Sequence, residues 1–115
     1  MKLINKTPHA IHIADMDGRI VRTIEPTLPA ARVSVTSEEH LPLDGVPFRE
    51  TIFREMENLP PEDEGANEEE MIFYIVSSFV ISARPERRDL VRPDTGPTCV
   101  RDGDGKIIAV RALTR

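Results

Sequence analysis

The chain has 115 residues, a length that fits one domain spanning 1–115 and leaves no room for two. Its single cysteine, Cys99, excludes an internal disulfide and a four-cysteine zinc site. The net charge of −5 and the pI of about 5.2 argue against a general binder of duplex nucleic acid, which carries a basic face. No stretch approaches the roughly 20 apolar residues that span a bilayer, and the first residues lack the apolar run of a signal peptide. We therefore expect a soluble, cytoplasmic protein.

The first part of the chain predicts a β-hairpin followed by a third strand. Residues 11–14 and 19–24 are rich in Ile and Val and flank a loop that contains Gly18. Two short β-like runs around such a loop are typical of a hairpin. Apolar and polar residues alternate again at 32–36, which predicts the next strand.

The middle of the chain carries weaker signals. Residues 38–47 contain two prolines and a glycine and are predicted to form a loop. Residues 48–54 follow as an imperfectly patterned strand. The polar, acidic stretch at 61–70 predicts a mobile surface loop rather than a metal-binding cluster.

The most apolar segment predicts a buried strand and a short helix. Residues 72–76 are β-branched and aromatic and too few for a helix, which indicates a central strand. Ser77 and Ser78 are N-cap residue types, and Pro85 would end a helix within about two turns. The charged residues 84–92 are expected to be exposed.

The C-terminal part carries the strongest hairpin signal of the sequence. A dense turn signal at 93–97 precedes two β-like runs at 98–101 and 106–111, which flank Asp-Gly-Asp-Gly at 102–105. These elements together predict an α+β, mainly β fold: a small antiparallel sheet of short strands and hairpins with one or two short helices.

No catalytic or metal-binding set can be assembled from the sequence. His9 and His12 lie in extended chain, where positions three apart point to opposite faces, so a metal pair is disfavoured. Cys99 sits in a predicted strand, and a buried apolar role is favoured over a nucleophilic one. An enzyme that uses carboxylates such as Asp94 and Asp102 is the weakest hypothesis, because no base and nucleophile pair accompanies them. We therefore expect neither enzymatic activity nor a cofactor.

The arginines near the C-terminus suggest an anion site. Arg101 and Arg111 lie on opposite strands of the last predicted hairpin, near a Gly/Pro/Thr turn. Guanidinium groups bind phosphate through paired hydrogen bonds, and turn amides and the hydroxyls of Thr95 and Thr98 would add donors. Exposed, solubilising arginines are the alternative reading of the same residues.

Several short segments resemble one family of small bacteriophage and prophage proteins, the Thoeris anti-defence sponge family. They are Thr-Pro-His at 7–9, Tyr-Ile-Val-Ser-Ser at 74–78, Arg-Asp-Leu at 88–90, Pro-Asp-Thr-Gly-Pro at 93–97, Val-Arg-Asp at 100–102 and Gly-Lys-Ile-Ile-Ala-Val-Arg at 105–111. The resemblance implies a protein that binds a cyclic ADP-ribose-type signal or a cyclic oligonucleotide and sequesters it intact. It also implies a homo-oligomer with pockets between subunits.

The resemblance also assigns candidate site residues. The turn at Asp94, Thr95 and Gly96 and the strand residue Arg111 match the region that contacts ligand in that family. The family carries Asn at the position of Asp94, and a carboxylate there lacks the amide donor and repels phosphate. The ligand of this chain therefore stays open.

The sequence also offers aromatic residues that could stack on a base, and an alternative function. Tyr74 and Phe79 are the candidates for stacking on a base, although their apolar neighbours favour a place in the core. The alternative to a ligand-binding sponge is a small protein-interaction module that docks on a host or phage protein through its acidic loop or a sheet edge.

Overall fold

The computed structural model describes residues 1–62, 67 and 69–115. About 49% of the described residues are in strands and 5% in a helix, which confirms the predicted α+β, mainly β fold class. The elements in chain order are β1 (Lys2–Asn5), β2 (Ile11–Ala14), β3 (Ile20–Ile24), β4 (Arg32–Leu43), β5 (Val46–Glu57), β6 (Ile72–Ile75), α1 (Ser78–Ala83), β7 (Leu90–Pro93), β8 (Val100–Arg101), β9 (Ile107–Ala109) and β10 (Leu113–Thr114).

The central sheet has four strands in the order β1-β6-β7-β10. Strand β6 pairs in parallel with both β1 and β7, and β10 closes the far edge antiparallel to β7. The interior position of β6 confirms the predicted buried strand, because its continuous apolar run suits a strand covered on both faces. The three remaining two-stranded sheets are antiparallel. The parallel pairs of the main sheet were not predicted, since β1 and β7 were not identified from the sequence.

Two hairpins with the same turn chemistry pack beside this sheet. Strands β2 and β3 form the first and β8 and β9 the second, as predicted. Each turn reads Asp-x-Asp-Gly, and its first aspartate accepts two backbone N–H groups through Oδ1. These bonds join Asp15 to the amides of Asp17 and Arg19, and Asp102 to those of Asp104 and Lys106. Gly18 and Gly105 each have φ near +82°, a conformation that glycine adopts without steric cost.

The two hairpins are joined edge to edge. The Ala14 amide donates to the Val110 carbonyl at 2.8 Å, and the Val110 amide donates to the His12 carbonyl at 2.9 Å. Strand β2 is therefore bonded on one side to β3 and on the other to the segment that follows β9.

The prediction of a loop at 38–47 is wrong, because β4 and β5 form one long hairpin arm across this region. Asp44 and Gly45 make its two-residue turn with φ of +52° and +78°, values that suit a type I′ hairpin turn. Pro42 and Pro47 are tolerated because each strand of a two-stranded arm is an edge strand, where a missing N–H breaks no ladder. Residues 34–51 are all exposed. The Asp-Gly pair was the local signal for this arm.

The apolar side chains form two core clusters on the two sides of the central sheet. One gathers Ile11, Ile24, Ile75, Cys99 and Val110, and the other gathers Ala31, Tyr74, Val76, Val80 and Leu90. Cys99 is therefore a buried, apolar cysteine, as expected.

The expectation that residues 84–92 are exposed holds for residues 85, 86 and 88 and is wrong for Arg87, Asp89 and Leu90. Arg87 donates to Asp89 through Nε at 2.8 Å and through a terminal nitrogen at 2.7 Å, and the two side chains are only 12% and 4% exposed. The same guanidinium donates to the Pro60 carbonyl at 2.9 Å. Hydrogen bonding to Asp89 raises the pKa of Arg87 above its ordinary value, against the opposite effect of burial. A bidentate ion pair explains how these charges are buried.

Helix α1 begins where the sequence predicted. Ser77 is its N-cap, and the Ser77 hydroxyl accepts from the Val80 amide at 3.4 Å. In the described part of the chain, no helix is long and apolar enough to cross a bilayer. Five positions of the acidic loop predicted at 61–70, namely 63–66 and 68, lie outside the described residues.

Candidate ligand-binding cleft

The three parallel strands end at one edge of the central sheet, and the segments that follow them surround a cleft. Thr7 follows β1, Ser77 follows β6, and Thr95 follows β7. In open α/β sheets, ligands bind in the crevice outside the carboxyl ends of the parallel strands, and three parallel strands of this sheet end together in the same way. This edge is therefore the place where the fold itself favours a site.

Two adjoining cavities form the cleft. One has a volume of about 440 Å³ and the other about 200 Å³, and both are lined by Thr7, Pro93 and Thr95. The larger volume alone lies within the range of small-molecule sites. Shared lining residues make the two cavities neighbouring parts of one surface depression, which we call the carboxyl-edge cleft.

The larger cavity is a mainly apolar groove. Its lining includes residues of β2, of β9 and of the segment after β9, namely Ile11, Ile107, Ala109 and Val110. His9, His12 and Ile108 also line it. Such a surface suits a planar ring or another apolar portion of a ligand.

The smaller cavity has a larger share of polar lining than the groove. Arg92, Ser77 and Ser78 line it together with the two threonines shared with the groove. Among the residues that the structure describes, no Asp or Glu lines either cavity. In a protein with a net charge of −5, a cleft with one arginine and no lining carboxylate is locally favourable to an anion.

Asn5 builds the wall that carries Thr7 and His9. Its side chain is fully buried, and its amide donates to the carbonyls of His9 at 2.8 Å and Ile24 at 3.0 Å. Its Oδ1 accepts from the Thr7 amide at 2.9 Å and from the Thr7 hydroxyl at 2.6 Å. Asn5 was not predicted from the sequence to shape the site, although Asn two positions before Thr and three before Pro is a local turn signal.

The two arginines predicted to bind the ligand point to different places. Arg101 pairs across the hairpin with Ile107 and donates to the Gly105 carbonyl at 2.7 Å, near the tip. Arg111 lies beyond the end of β9 and donates through Nε to the Asp15 carbonyl at 3.0 Å and through a terminal nitrogen to the Thr98 carbonyl. Neither arginine lines the carboxyl-edge cleft. The structure brings Arg111 and Thr98 together and leaves Arg101 apart from them.

The predicted turn at 94–96 lies beside the cleft, and its geometry explains why an acidic residue is tolerated. The Asp94 Oδ1 atom accepts from the Gly96 amide at 3.0 Å, a bond that an asparagine oxygen would make equally well. The Asp94 amide donates to the Ala112 carbonyl at 3.0 Å, which ties the turn to the last segment of the chain. Thr95 is the member of this turn that lines both cavities.

The two candidate stacking residues lie away from the cleft lining. Tyr74 is buried in the core cluster around Val80 and Leu90. Phe79 is 55% exposed on α1, and its ring centroid lies 6.5 Å from that of Phe53 on the arm. Tyr74 therefore packs in the core, and Phe79 contacts the arm.

The remaining candidates take ordinary structural roles in this geometry. The His12 Nδ1 atom lies 2.9 Å from the Thr23 hydroxyl across the first hairpin. The Cys99 thiol lies 3.7 Å from the Thr95 carbonyl. Among residues 1–62, 67 and 69–115, no three His, Cys, Asp or Glu side chains come close enough together to hold a metal ion.

Comparison with known proteins adds no relative to this geometry. No protein-family model, curated protein or solved structure matches the chain. The site is therefore interpreted from its own residues.

Proposed function

We propose that this protein binds a small phosphate-bearing ligand of the cyclic nucleotide type and holds it without cleaving it. In this proposal it is a phage-encoded, cytoplasmic anti-defence protein that lowers the free concentration of an immune signal, either a cyclic ADP-ribose-type molecule or a cyclic oligonucleotide. The observation that carries the proposal is the carboxyl-edge cleft, which joins an apolar groove to a smaller cavity lined by an arginine, two serines and two threonines. The resemblance of the short segments noted in the sequence supports the ligand class.

Binding without conversion sets a demand on affinity. Sequestration of a signal at nanomolar concentration requires a binding free energy of about −12 kcal/mol. A cleft that is open on one side, on a chain of 115 residues, would enclose such a ligand more completely if a second copy covered it. We therefore propose a homo-oligomer with ligand pockets between subunits.

The test combines binding with recovery of the ligand. Purified protein is titrated with cyclic ADP-ribose and with a panel of cyclic dinucleotides by calorimetry, and the bound ligand is released by heating and weighed by mass spectrometry. We expect tight binding of at least one compound and recovery of its original mass. A hydrolysed product would contradict sequestration, and failure of the whole panel to bind would contradict the ligand class.

The second candidate function is a protein-interaction module. The outer part of the β4–β5 arm favours it, because Leu41, Leu43, Val46 and Phe48 are exposed near the turn. A two-stranded hairpin is marginally stable by itself in water, so a partner surface would stabilise this arm. Under this hypothesis the protein binds no small molecule and retains a host or phage protein in a pull-down, whereas native mass spectrometry of a sponge shows retained ligand.

A further inference from the structure

We infer that the carboxyl-edge cleft binds two parts of one ligand at different places. The apolar groove receives a planar heteroaromatic ring, and the end of the cleft that contains Arg92 receives a phosphate. This inference rests on the proposed function and adds to it a position for each part of the ligand. The minimal ligand is a mononucleotide unit, in which a sugar joins a base to a phosphate. Arg92 is then the anion-binding residue, a role that the sequence analysis gave to Arg101 and Arg111.

The groove is suited to a ring because its lining is mainly apolar and the backbone groups of Val110 in its wall are already paired. The amide and carbonyl of Val110 are bonded to His12 and Ala14, and β9 pairs with β8 along its other edge. What faces the cavity is therefore mainly the hydrocarbon of Ile107, Ala109 and their neighbours. A flat apolar ring gains most from such a surface, since it buries area on the groove without leaving backbone donors unsatisfied.

The smaller cavity is suited to an anion because the side chain of Arg92 is available to bind one. Arg92 is half-buried in the cavity wall, and within the described part of the chain its side chain forms no ion pair or hydrogen bond. A free guanidinium offers paired N–H donors in the geometry of two phosphate oxygens. The hydroxyls of Ser78 and Thr95 line the cleft around it and can donate to the remaining oxygens.

Thr7 occupies the boundary between the two ends, and its hydroxyl proton is already in use. Its Oγ1 lies 2.6 Å from the Asn5 Oδ1 and 3.0 Å from the His9 carbonyl, so the hydroxyl donates within the protein. Toward a ligand this oxygen can act only as an acceptor. A sugar hydroxyl between base and phosphate is the donor that such a position calls for.

Arg101 and Arg111 are less suited to the anion. Each donates to backbone carbonyls of the hairpins, and neither lines the two cavities. Arg111 keeps free N–H groups, but its fixed partners hold it at the junction of the hairpins. Its expected effect on binding therefore passes through the shape of the cleft wall.

The experiment maps fragments by amide NMR and compares two matched variants. Adenosine should shift amide signals of residues 107–110 in the groove, and 5′-AMP should shift these and also the signals of Ser77, Ser78 and Thr95. Arg92→Ala should lower the affinity for 5′-AMP by about 10- to 100-fold, which corresponds to about 1.5–3 kcal/mol for a hydrogen bond to a charged group. It should leave the affinity for adenosine unchanged. Ala10 also lines the groove, so Ala10→Phe should fill it and weaken the binding of both compounds.

The controls separate this inference from the proposed function. Arg22→Ala removes an exposed arginine of β3 that lies outside the cleft and should change neither affinity. An unchanged amide spectrum elsewhere in each variant shows that the fold is intact. If cyclic ADP-ribose binds and neither Arg92→Ala nor Ala10→Phe weakens it, the division of the cleft is wrong while the proposed function stands. If the wild-type protein binds neither the cyclic compounds nor the fragments, both are wrong.

Discussion

The Arg111 guanidinium donates to the Asp15 carbonyl at 3.0 Å, which joins two residues 96 positions apart in the chain. The same side chain donates to the Thr98 carbonyl, so it bridges the turn of the first hairpin and the segment leading into the second. These bonds reinforce the backbone pairing between the hairpins that form the wall of the carboxyl-edge cleft. Arg111 is therefore a structural link between the two hairpins.

Arg111→Ala should lower the free energy of unfolding by about 1.5–3 kcal/mol, because two hydrogen bonds from a charged group are lost. Ligand binding should also weaken, because this link supports the wall of the cleft. Urea denaturation and calorimetry measure the two effects. Arg115→Ala is the matched control, since it removes an exposed arginine at the chain end. Full stability in Arg111→Ala would show that the link is not needed.

Asp94→Asn should strengthen the binding of a phosphate-bearing ligand without changing stability. The asparagine oxygen can still accept from the Gly96 amide, so the turn is kept. The change removes a negative charge beside the cleft, which at an exposed or half-buried position is worth up to about 1 kcal/mol. Titration at low and high salt tests this reason, because the gain should shrink as salt screens the charge. Equal or weaker binding at low salt would contradict it.

Asn5→Ala should lower the free energy of unfolding by about 1–3 kcal/mol or more, because the buried carbonyl of Ile24 loses its side-chain donor and the Thr7 turn loses its acceptor. Thr7→Val removes only the hydroxyl and should cost about 1 kcal/mol. Both values follow from chemical denaturation. Amide NMR should show the largest changes at 5–9 in each variant. If Asn5→Ala destabilises the protein less than Thr7→Val does, the side-chain amide of Asn5 is not the main support of this turn.

Breaking the pair of Arg87 and Asp89 on one side should be costly. Arg87→Met leaves a buried carboxylate and should destabilise the protein by about 3–5 kcal/mol, while Arg87→Met with Asp89→Leu should recover much of that loss. The double-mutant cycle is measured by urea denaturation. If the double variant loses as much stability as the two single variants together, the unpaired carboxylate of Asp89 is not the cause of the loss in Arg87→Met.

The pH dependence of this pair has a definite sign. The pKa of Arg87 is raised in the folded state, so its contribution is fully present below the ordinary arginine pKa and is lost only as pH rises through the folded-state value. The free energy of unfolding, measured over about three pH units around neutrality, should show no loss from the deprotonation of Arg87.

The exposed end of the β4–β5 arm should control self-association. Leu43→Ser with Val46→Ser removes two exposed apolar side chains next to the turn and should lower the copy number seen by sedimentation velocity and native mass spectrometry. Ser34→Ala, a change at an exposed arm position away from the turn, is the control. An unchanged copy number would exclude this end of the arm from the interface between copies.

Local chemistry made several elements predictable from the sequence. The Asp-x-Asp-Gly turns close through bonds between residues two and four positions apart, so both hairpins were recognised. The Ser77 cap is equally local. The Asp44–Gly45 turn carried the same kind of signal, but two neighbouring prolines obscured it, since they indicate a loop unless the strand is an edge strand.

Long-range contacts decided the rest. Residues 84–92 look like an exposed charged run, and only the fold brings the Pro60 carbonyl to Arg87 and buries Asp89. The sequence by itself determined the turns, the buried strand β6 and the mainly β class, because these depend on neighbouring residues. The parallel pairing of β1, β6 and β7 was decided only by the tertiary structure, and with it the cleft where Thr7 and Arg92 meet. Pairing between strands far apart in the chain depends on which surfaces can be buried together, and no local pattern encodes that choice.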